Sequence, residues 1–181
     1  MNRKLKVEEL NRKSIEEFKK GQKVPIVLIL ENIRSLSNIG SVFRTADAFY
    51  IEEVVLVGFT ARPPHREINK TAIGATNSVK WTYHGSMEEV FARMHEEGYA
   101  VFAVEQTENS NGLHEVDWRK YPKVGLIFGN ELRGVEQHSI DCCVQSIEVP
   151  QFGTKHSLNV SVCAGIVIWH ILNAQNWSNR L

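Results

Sequence analysis

The sequence predicts one α/β domain with a mostly parallel sheet flanked by helices. Two observations carry this. Short apolar runs bounded by turn residues read as buried strands: PIVLIL (25–30), EVVLVGF (53–59), YAVFAV (99–104), VGLIF (124–128) and SIEVP (146–150). Helix-compatible segments alternate with them, at about 39–50, 86–97 and 134–141, and a long one closes the chain from about Ser157 to Asn176. The length of 181 residues suits a single domain with a substantial core.

Before the first strand, residues 3–20 form a plausible amphipathic helix with Leu10, Ile15 and Phe18 near one face, closed by Gly21. The division expected is a basic helical extension over 1–23 and one domain over 24–181. The last helix is apolar on nearly every side between Val160 and Leu172, so more than its own sheet must cover it. A subunit interface would do so, which points to a homodimer.

Hydrophobic residues make up 43% and charged residues 23%, which disfavours disorder and fibrous architectures. Cys142, Cys143 and Cys163 form no C-x-x-C pair and read as reduced thiols. The start lacks a secretory core, and the longest apolar run is too short to cross a bilayer. A soluble, cytoplasmic protein without a membrane partner is therefore expected. The seven histidines show no metal-ligand spacing and no metal is expected. Net charge is zero, but residues 1–23 hold eight Lys or Arg against four Glu, whereas 96–117 hold six acids and no Lys or Arg. A basic arm can meet phosphates by counterion release, and the acidic stretch can tolerate a cationic ligand; two solvated faces would also account for the pattern.

Common nucleotide folds make demands that this chain does not meet. No G-x-G-x-x-G follows the first strand, which runs instead into ENIRSLSNIGS. Gly129 and Gly134 have a Walker-like spacing, but Val-Glu follows where Lys and Ser/Thr should stand. There is no G-x-S-x-G elbow, and His156 and Ser157 are neighbours that would not face each other on a helix.

Three loops remain, each after an apolar strand, where ligand sites of α/β sheets tend to lie. In SNIGSVFRTADAF (37–49), Asn38 is placed as a helix cap, and Arg44 projects from a helix that otherwise offers Val42, Phe43, Ala46 and Phe49 to the core. An arginine in such a setting calls for an anionic partner. In IFGNELRGV (127–135), Gly129 permits close backbone approach and Glu131 follows a buried strand. In VPQFGTKHSLNVSV (149–162), Pro150 and Gly153 shape a loop, and Ser157, Asn159 and Ser161 open an apolar helix. Singly, each residue has an ordinary structural explanation. Asn38 would cap, Arg44 would form a salt bridge, Glu131 would cap a helix beginning near Val135, and Ser157 and Asn159 would satisfy free amides. Val149 and Leu158 would be plain core.

Together, in this order, the three blocks resemble the TrmH or SpoU branch of the SPOUT RNA methyltransferases. That family's patterns, N-x-G-x-x-x-R-T-A, G-x-E-x-x-G and P-M-x-G-x-x-x-S-L-N-V-S-V, meet NIGSVFRTA, GNELRG and PQFGTKHSLNVSV here, with Gln151 in place of the usual methionine. The resemblance spans about residues 24–175 and is most specific in the third block. It implies a trefoil knot at the carboxyl end, which no general topological prior would suggest. It also implies S-adenosylmethionine bound in the knot, and a dimer built partly on the last helix. By position it places Gly129, Val149, Pro150 and Leu158 at the cofactor, with Gln106 or Thr107 from the loop after YAVFAV. It places Asn38, Arg44, Glu131, Ser157 and Asn159 in the catalytic set.

The implied reaction is methyl transfer to a ribose 2′-hydroxyl of RNA, tRNA before rRNA, with recognition through the basic arm and segments such as RPPHREINK (62–70). Orientation of the reactants can supply about 7–11 kcal/mol. The family's picture casts the arginine at Arg44 as base, but a guanidinium keeps its proton, so a bidentate clamp on phosphate or developing alkoxide suits it better. Glu131 would hold Arg44 or Asn38. The rivals are a non-catalytic knotted RNA-binding homologue, against which the intact catalytic set argues, and a nucleotide-dependent oxidoreductase, which lacks its glycines.

Overall fold

The computed structural model describes residues 2–177. Among them, seven strands form one sheet in the order β3-β2-β1-β6-β4-β7-β5, and every paired neighbour runs parallel. The strands are β1 (Val24–Glu31), β2 (Ile51–Val57), β3 (Lys80–His84), β4 (Ala100–Val104), β5 (Asn111–Gly112), β6 (Val124–Phe128) and β7 (Gln145–Glu148). The helices are α1 (Ile15–Lys20), α2 (Leu36–Ala48), α3 (Arg66–Ala72), α4 (Ala75–Ser78), α5 (Met87–Glu96), α6 (Gln137–Asp141) and α7 (Val160–Ala174).

The unbroken apolar runs follow from burial on both faces. On one face Ile26, Leu28 and Leu30 of β1 meet Phe43 of α2 and Val167, Ile168 and Ile171 of α7, with Phe18 of α1 and Ile68 of α3 in the same cluster. On the other, Val27 and Ile29 meet Val90 and Met94 of α5 and Val135 before α6. The two-residue period of side-chain direction along β1 therefore sorts its residues into two cores.

Three expectations are corrected. The amino-terminal helix is not continuous: a 3₁₀ turn over Val7–Leu10 ends at Asn11 with φ 45°, and α1 begins only after Ser14, whose hydroxyl accepts from the Glu17 amide. Leu10 and Ile15 are exposed, and Phe18 alone of the three is buried, edge-on to Tyr50. The cap of α2 is Ser35, whose Oγ accepts from the Asn38 amide at 3.3 Å; Asn38 is the third helical residue and buried. The closing helix starts at Val160, with Asn159 as its cap and Ser157 before it. Two strands and two helices had no apolar run to reveal them. β3 (KWTYH) is a half-exposed edge strand, β5 is two residues long, and α3 and α4 are short.

On α7, Ala164, Val167, Ile168, Ile171 and Leu172 are buried, while Val162, Ile166 and Trp169 form an exposed stripe at helical spacing beside Phe49 of α2. Among the described residues no helix is long and apolar enough to cross a membrane.

Gly40 sets the distance between α2 and α3. A Cβ there would stand 2.2 Å from the Ile68 carbonyl oxygen and 2.1 Å from Thr71 Oγ1. Gly40→Ala is expected to lower unfolding stability in urea melts by about 1–3 kcal/mol, as overpacking does, while Gly85→Ala, whose Cβ meets nothing within 4 Å, stays within about 0.5 kcal/mol.

Candidate active site

β6, β4 and β7 lie side by side, and their carboxyl ends open into a cleft of about 510 Å³, within the range of small-molecule sites. Its apolar walls come from Val104, Phe128, Ile147, Val149 and Leu158, and its rim from the loops after the three strands. Gly129 is forced by its own chain: a Cβ there would lie 2.1 Å from the Gly134 carbonyl carbon and the Val135 nitrogen, so the GNELRG loop can double back only over glycine. An antiparallel bridge between Asn130 and Gly134 closes that turn.

Glu131 organises the loops around the cleft. Its Oε2 accepts from the Arg34 amide at 2.9 Å, and its Oε1 accepts from the Ser35 amide at 2.9 Å and from Asn38 Nδ2 at 3.0 Å. Asn38 Oδ1 in turn accepts from Asn159 Nδ2 at 3.0 Å, and Asn159 Oδ1 accepts from the amides of Ser161 and Val162, which begin α7. A chain of side chains thus runs from Glu131 through Asn38 to Asn159 and joins all three sequence blocks. Burial opposes the charge on Glu131, but the Arg34 and Ser35 amides, with help from Asn38, outweigh it and hold the carboxyl below its usual range. Glu131 therefore caps the start of α2, not α6; the latter is served by buried Glu31, which accepts from the Glu136 amide and Ser139 Oγ.

Gln106, Gly129, Glu131, Val149, Ser157, Leu158 and Asn159 line the cleft, and Asn38 stands behind Glu131 and Asn159. Thr107 and Pro150 do not line it; the Thr107 amide and carbonyl are engaged with Ser110 Oγ. Arg44 is exposed on α2 and faces a second groove, of about 340 Å³, which Lys13 and Asp47 also line. Among the described residues it has no ion pair, and exposure removes the cost that an anionic partner was expected to offset.

Among the cleft residues that sequence reasoning did not assign to the site are Glu105, His156 and Cys163. Glu105 lines the cleft at the end of β4, its carboxylate accepting from the amides of Gln106 and Val135, both at 2.9 Å. The acid-rich run 96–117 was the only signal for it. Gln106 Nε2 donates to the His156 carbonyl at 3.0 Å and ties the β4 loop to the loop after β7. Cys163 closes the floor, and burial together with the nearby Glu105 charge pushes its thiol up to about 11, so it is a neutral wall.

Comparison with known proteins identifies the family. The model of the SpoU rRNA Methylase family matches residues 25–169. A tRNA (guanosine(18)-2′-O)-methyltransferase from Thermus thermophilus is 31% identical over 164 residues, covering 89% of this chain and 81% of the relative. A 23S rRNA (guanosine-2′-O-)-methyltransferase from Neisseria meningitidis is 27% identical over 80% of this chain and 56% of its own length. Among solved structures, the TrmH/SpoU tRNA modifying enzyme of A. aeolicus superimposes with a TM-score of 0.79 over 91% of this chain and 82% of that one, at 21% identity. An AdoMet-bound rRNA methyltransferase from Sinorhizobium meliloti does so with a TM-score of 0.76 over 84% and 57%, at 25% identity. The family model over residues 25–169 and the 31% identity over most of the chain place the protein in the SpoU rRNA methylase family.

Proposed function

We propose that the protein is an S-adenosylmethionine-dependent RNA methyltransferase acting on a ribose 2′-hydroxyl, of tRNA before rRNA. The observation that carries this is the Glu131–Asn38–Asn159 chain at the mouth of a cleft whose donor set suits that cofactor. The cleft offers apolar walls for an adenine, backbone edges along 129–134 and 149–158, and the carboxylate of Glu105 for a cationic group. Gln106, Gly129, Val149 and Leu158 would hold the cofactor, with Thr107 and Pro150 shaping the loops beside it. Bound there, it supplies an electrophilic methyl group on a positively charged sulfur.

The protein's own part is positioning. The ionised Glu131 fixes Asn38, Asn38 fixes Asn159, and Ser157 lies free on the rim to meet RNA phosphate. Arg44, exposed and without an ion pair among the described residues, has its guanidinium available as a bidentate clamp on RNA phosphate. On transfer, the methyl's bond to sulfur would break with its electron pair left on sulfur, and the hydroxyl's proton would pass to phosphate or water. Relatives named for both tRNA and 23S rRNA support the substrate class, and the coverage of 81% of the tRNA enzyme favours tRNA.

We also infer a trefoil knot at the carboxyl end. β7 enters the sheet between the earlier strands β4 and β5, and the segment after it returns between the Gln106 and Glu131 loops to reach α2. A homodimer is supported by the exposed Val162, Ile166 and Trp169 stripe on α7. Residues 1–23 are read as a basic extension of a domain over 24–181. A place in the cytoplasm fits three cysteines that are all free.

Transfer of labelled methyl from S-adenosylmethionine to hypomethylated tRNA and rRNA pools tests the activity. Alkali-resistant label in one pool, reduced at least about 100-fold by Arg44→Ala, is the expected result, and no label in either pool would favour the non-catalytic RNA-binding homologue. Arg44→Lys should retain no more than about a tenth of the activity; near-full activity would exclude the bidentate clamp. Because the folded pKa of Glu131 is lowered, its stabilising contribution is complete above the usual value of 4.5 and is lost as pH falls below it. Glu131→Gln should therefore melt lower than wild type at pH 7 and lose less on acidification. In light scattering, wild type should have twice the chain mass and Trp169→Glu the mass of one chain; a wild-type monomer at micromolar concentration would remove the dimer.

A further inference from the structure

The loop after β2 carries a cluster that the proposed reaction leaves unused, and the following inference rests on the RNA methyltransferase reading. We propose that Phe59 and the stacked Arg62 and Tyr83 form a platform for an unpaired nucleobase of the substrate RNA, beside the cofactor cleft.

Phe59 is 63% exposed and Tyr83 38%, on neighbouring strand ends of the sheet edge. The Arg62 guanidinium lies 4.3 Å from the centre of the Tyr83 ring. That ring is held from below, because the Tyr83 hydroxyl donates to the Gly58 carbonyl at 2.9 Å. The Phe59 ring and the Arg62 guanidinium from the loop after β2 are thus presented beside the Tyr83 ring of β3. Residues 58–66 contain Arg62, His65 and Arg66 and no acid, and among the described residues neither arginine pairs with a carboxylate. The acids next to the patch are already engaged, Glu67 with Lys70 and Glu89 with His84.

The loop is pinned to the cleft rather than hanging from the sheet. Gly58, at φ +65°, lies so close to Asn32 that a Cβ would meet its Oδ1 at 2.1 Å, and that oxygen accepts from the Phe59 amide at 3.2 Å. The Asn32 carbonyl accepts from Asn130 Nδ2 at 2.7 Å, and Asn130 lines the cleft next to Glu131. Buried Thr60 adds a second pin, donating to the Leu30 carbonyl and accepting from the Ile33 amide, both at 2.9 Å. The platform is therefore held in fixed register with the loop whose amides bind Glu131.

Single exposed apolar side chains are ordinary. An aromatic ring next to an unpaired guanidinium stacked on a second ring, in an acid-free loop, is the combination that takes bases and phosphates of unpaired RNA. The unpaired cations favour a polyanion over a protein surface as the occupant.

The test measures binding of a fluorescein-labelled single-stranded oligouridine by anisotropy over a salt series, and KM and kcat for hypomethylated tRNA. Phe59→Leu should weaken oligouridine binding and raise the tRNA KM by about tenfold, with the salt dependence unchanged because no charge is lost. Phe59→Trp should restore both, which excludes misfolding. Val144→Ser, which removes an exposed apolar side chain at the opposite edge of the sheet, should alter neither. Oligouridine binding by Phe59→Leu equal to wild type, or no binding by wild type, would overturn the platform. Phe59-dependent binding without methyl transfer to any RNA supports the platform and counts against the enzyme; transfer without Phe59 dependence does the reverse.

Discussion

Glu131 carries a negative charge to the point where three loops, distant in sequence, converge. It accepts from two amides before α2 and from Asn38, nearly a hundred residues upstream, and through Asn38 it reaches Asn159. Closing loops of this length costs conformational entropy, and charge-assisted hydrogen bonds are among the few local interactions strong enough to offset part of it. The same charge lies at the positive end of α2, where the free amides of the first turn need a partner. Remove it and those amides, the Asn38 amide group and the start of α7 lose their common reference.

The cleft depends on that arrangement but is shaped by backbone. Gly129 lets the GNELRG turn fold back on itself, and Glu105 anchors the far side of the turn through the Val135 amide. Glu105 is thus both a strut and one of the carboxylates that line the cleft. Its two roles are compatible because each carboxylate oxygen has lone pairs beyond the single amide it accepts from.

Most of the architecture was legible in the sequence because burial on both faces of a parallel sheet leaves a plain signal, as in PIVLIL and VGLIF. The parts that were missed are those for which burial is weak. KWTYH alternates without an apolar core, and α3 and α4 follow a proline-rich turn and are held by tertiary contacts such as Thr71 on the Ser37 carbonyl. At the site, the three blocks announced themselves as patterns, whereas the pairing did not. Spacing made Asn38 a helix cap, yet Ser35 caps and Asn38 bridges. Arg44 was expected to need an anionic partner because its neighbours Val42, Phe43 and Ala46 face the core, but successive helical residues turn by about 100°, and at Arg44 that turn leads to solvent. Glu105 was signalled only as one acid in an acidic run, because its place comes from a strand end meeting a turn thirty residues later.

The strand order has a consequence for the nascent chain. β1, β2 and β3 are made first and can pair with one another, but the other hydrogen-bonding edge of β1 is completed only by β6, roughly 90 residues later. At ordinary ribosomal speeds that interval is on the order of 5–20 s. Throughout it, a strand whose centre is the apolar run IVLIL presents an unpaired edge, the kind of template on which chains join wrongly. In that interval, pairing of β1 with another chain competes with the wait for its own partner strand.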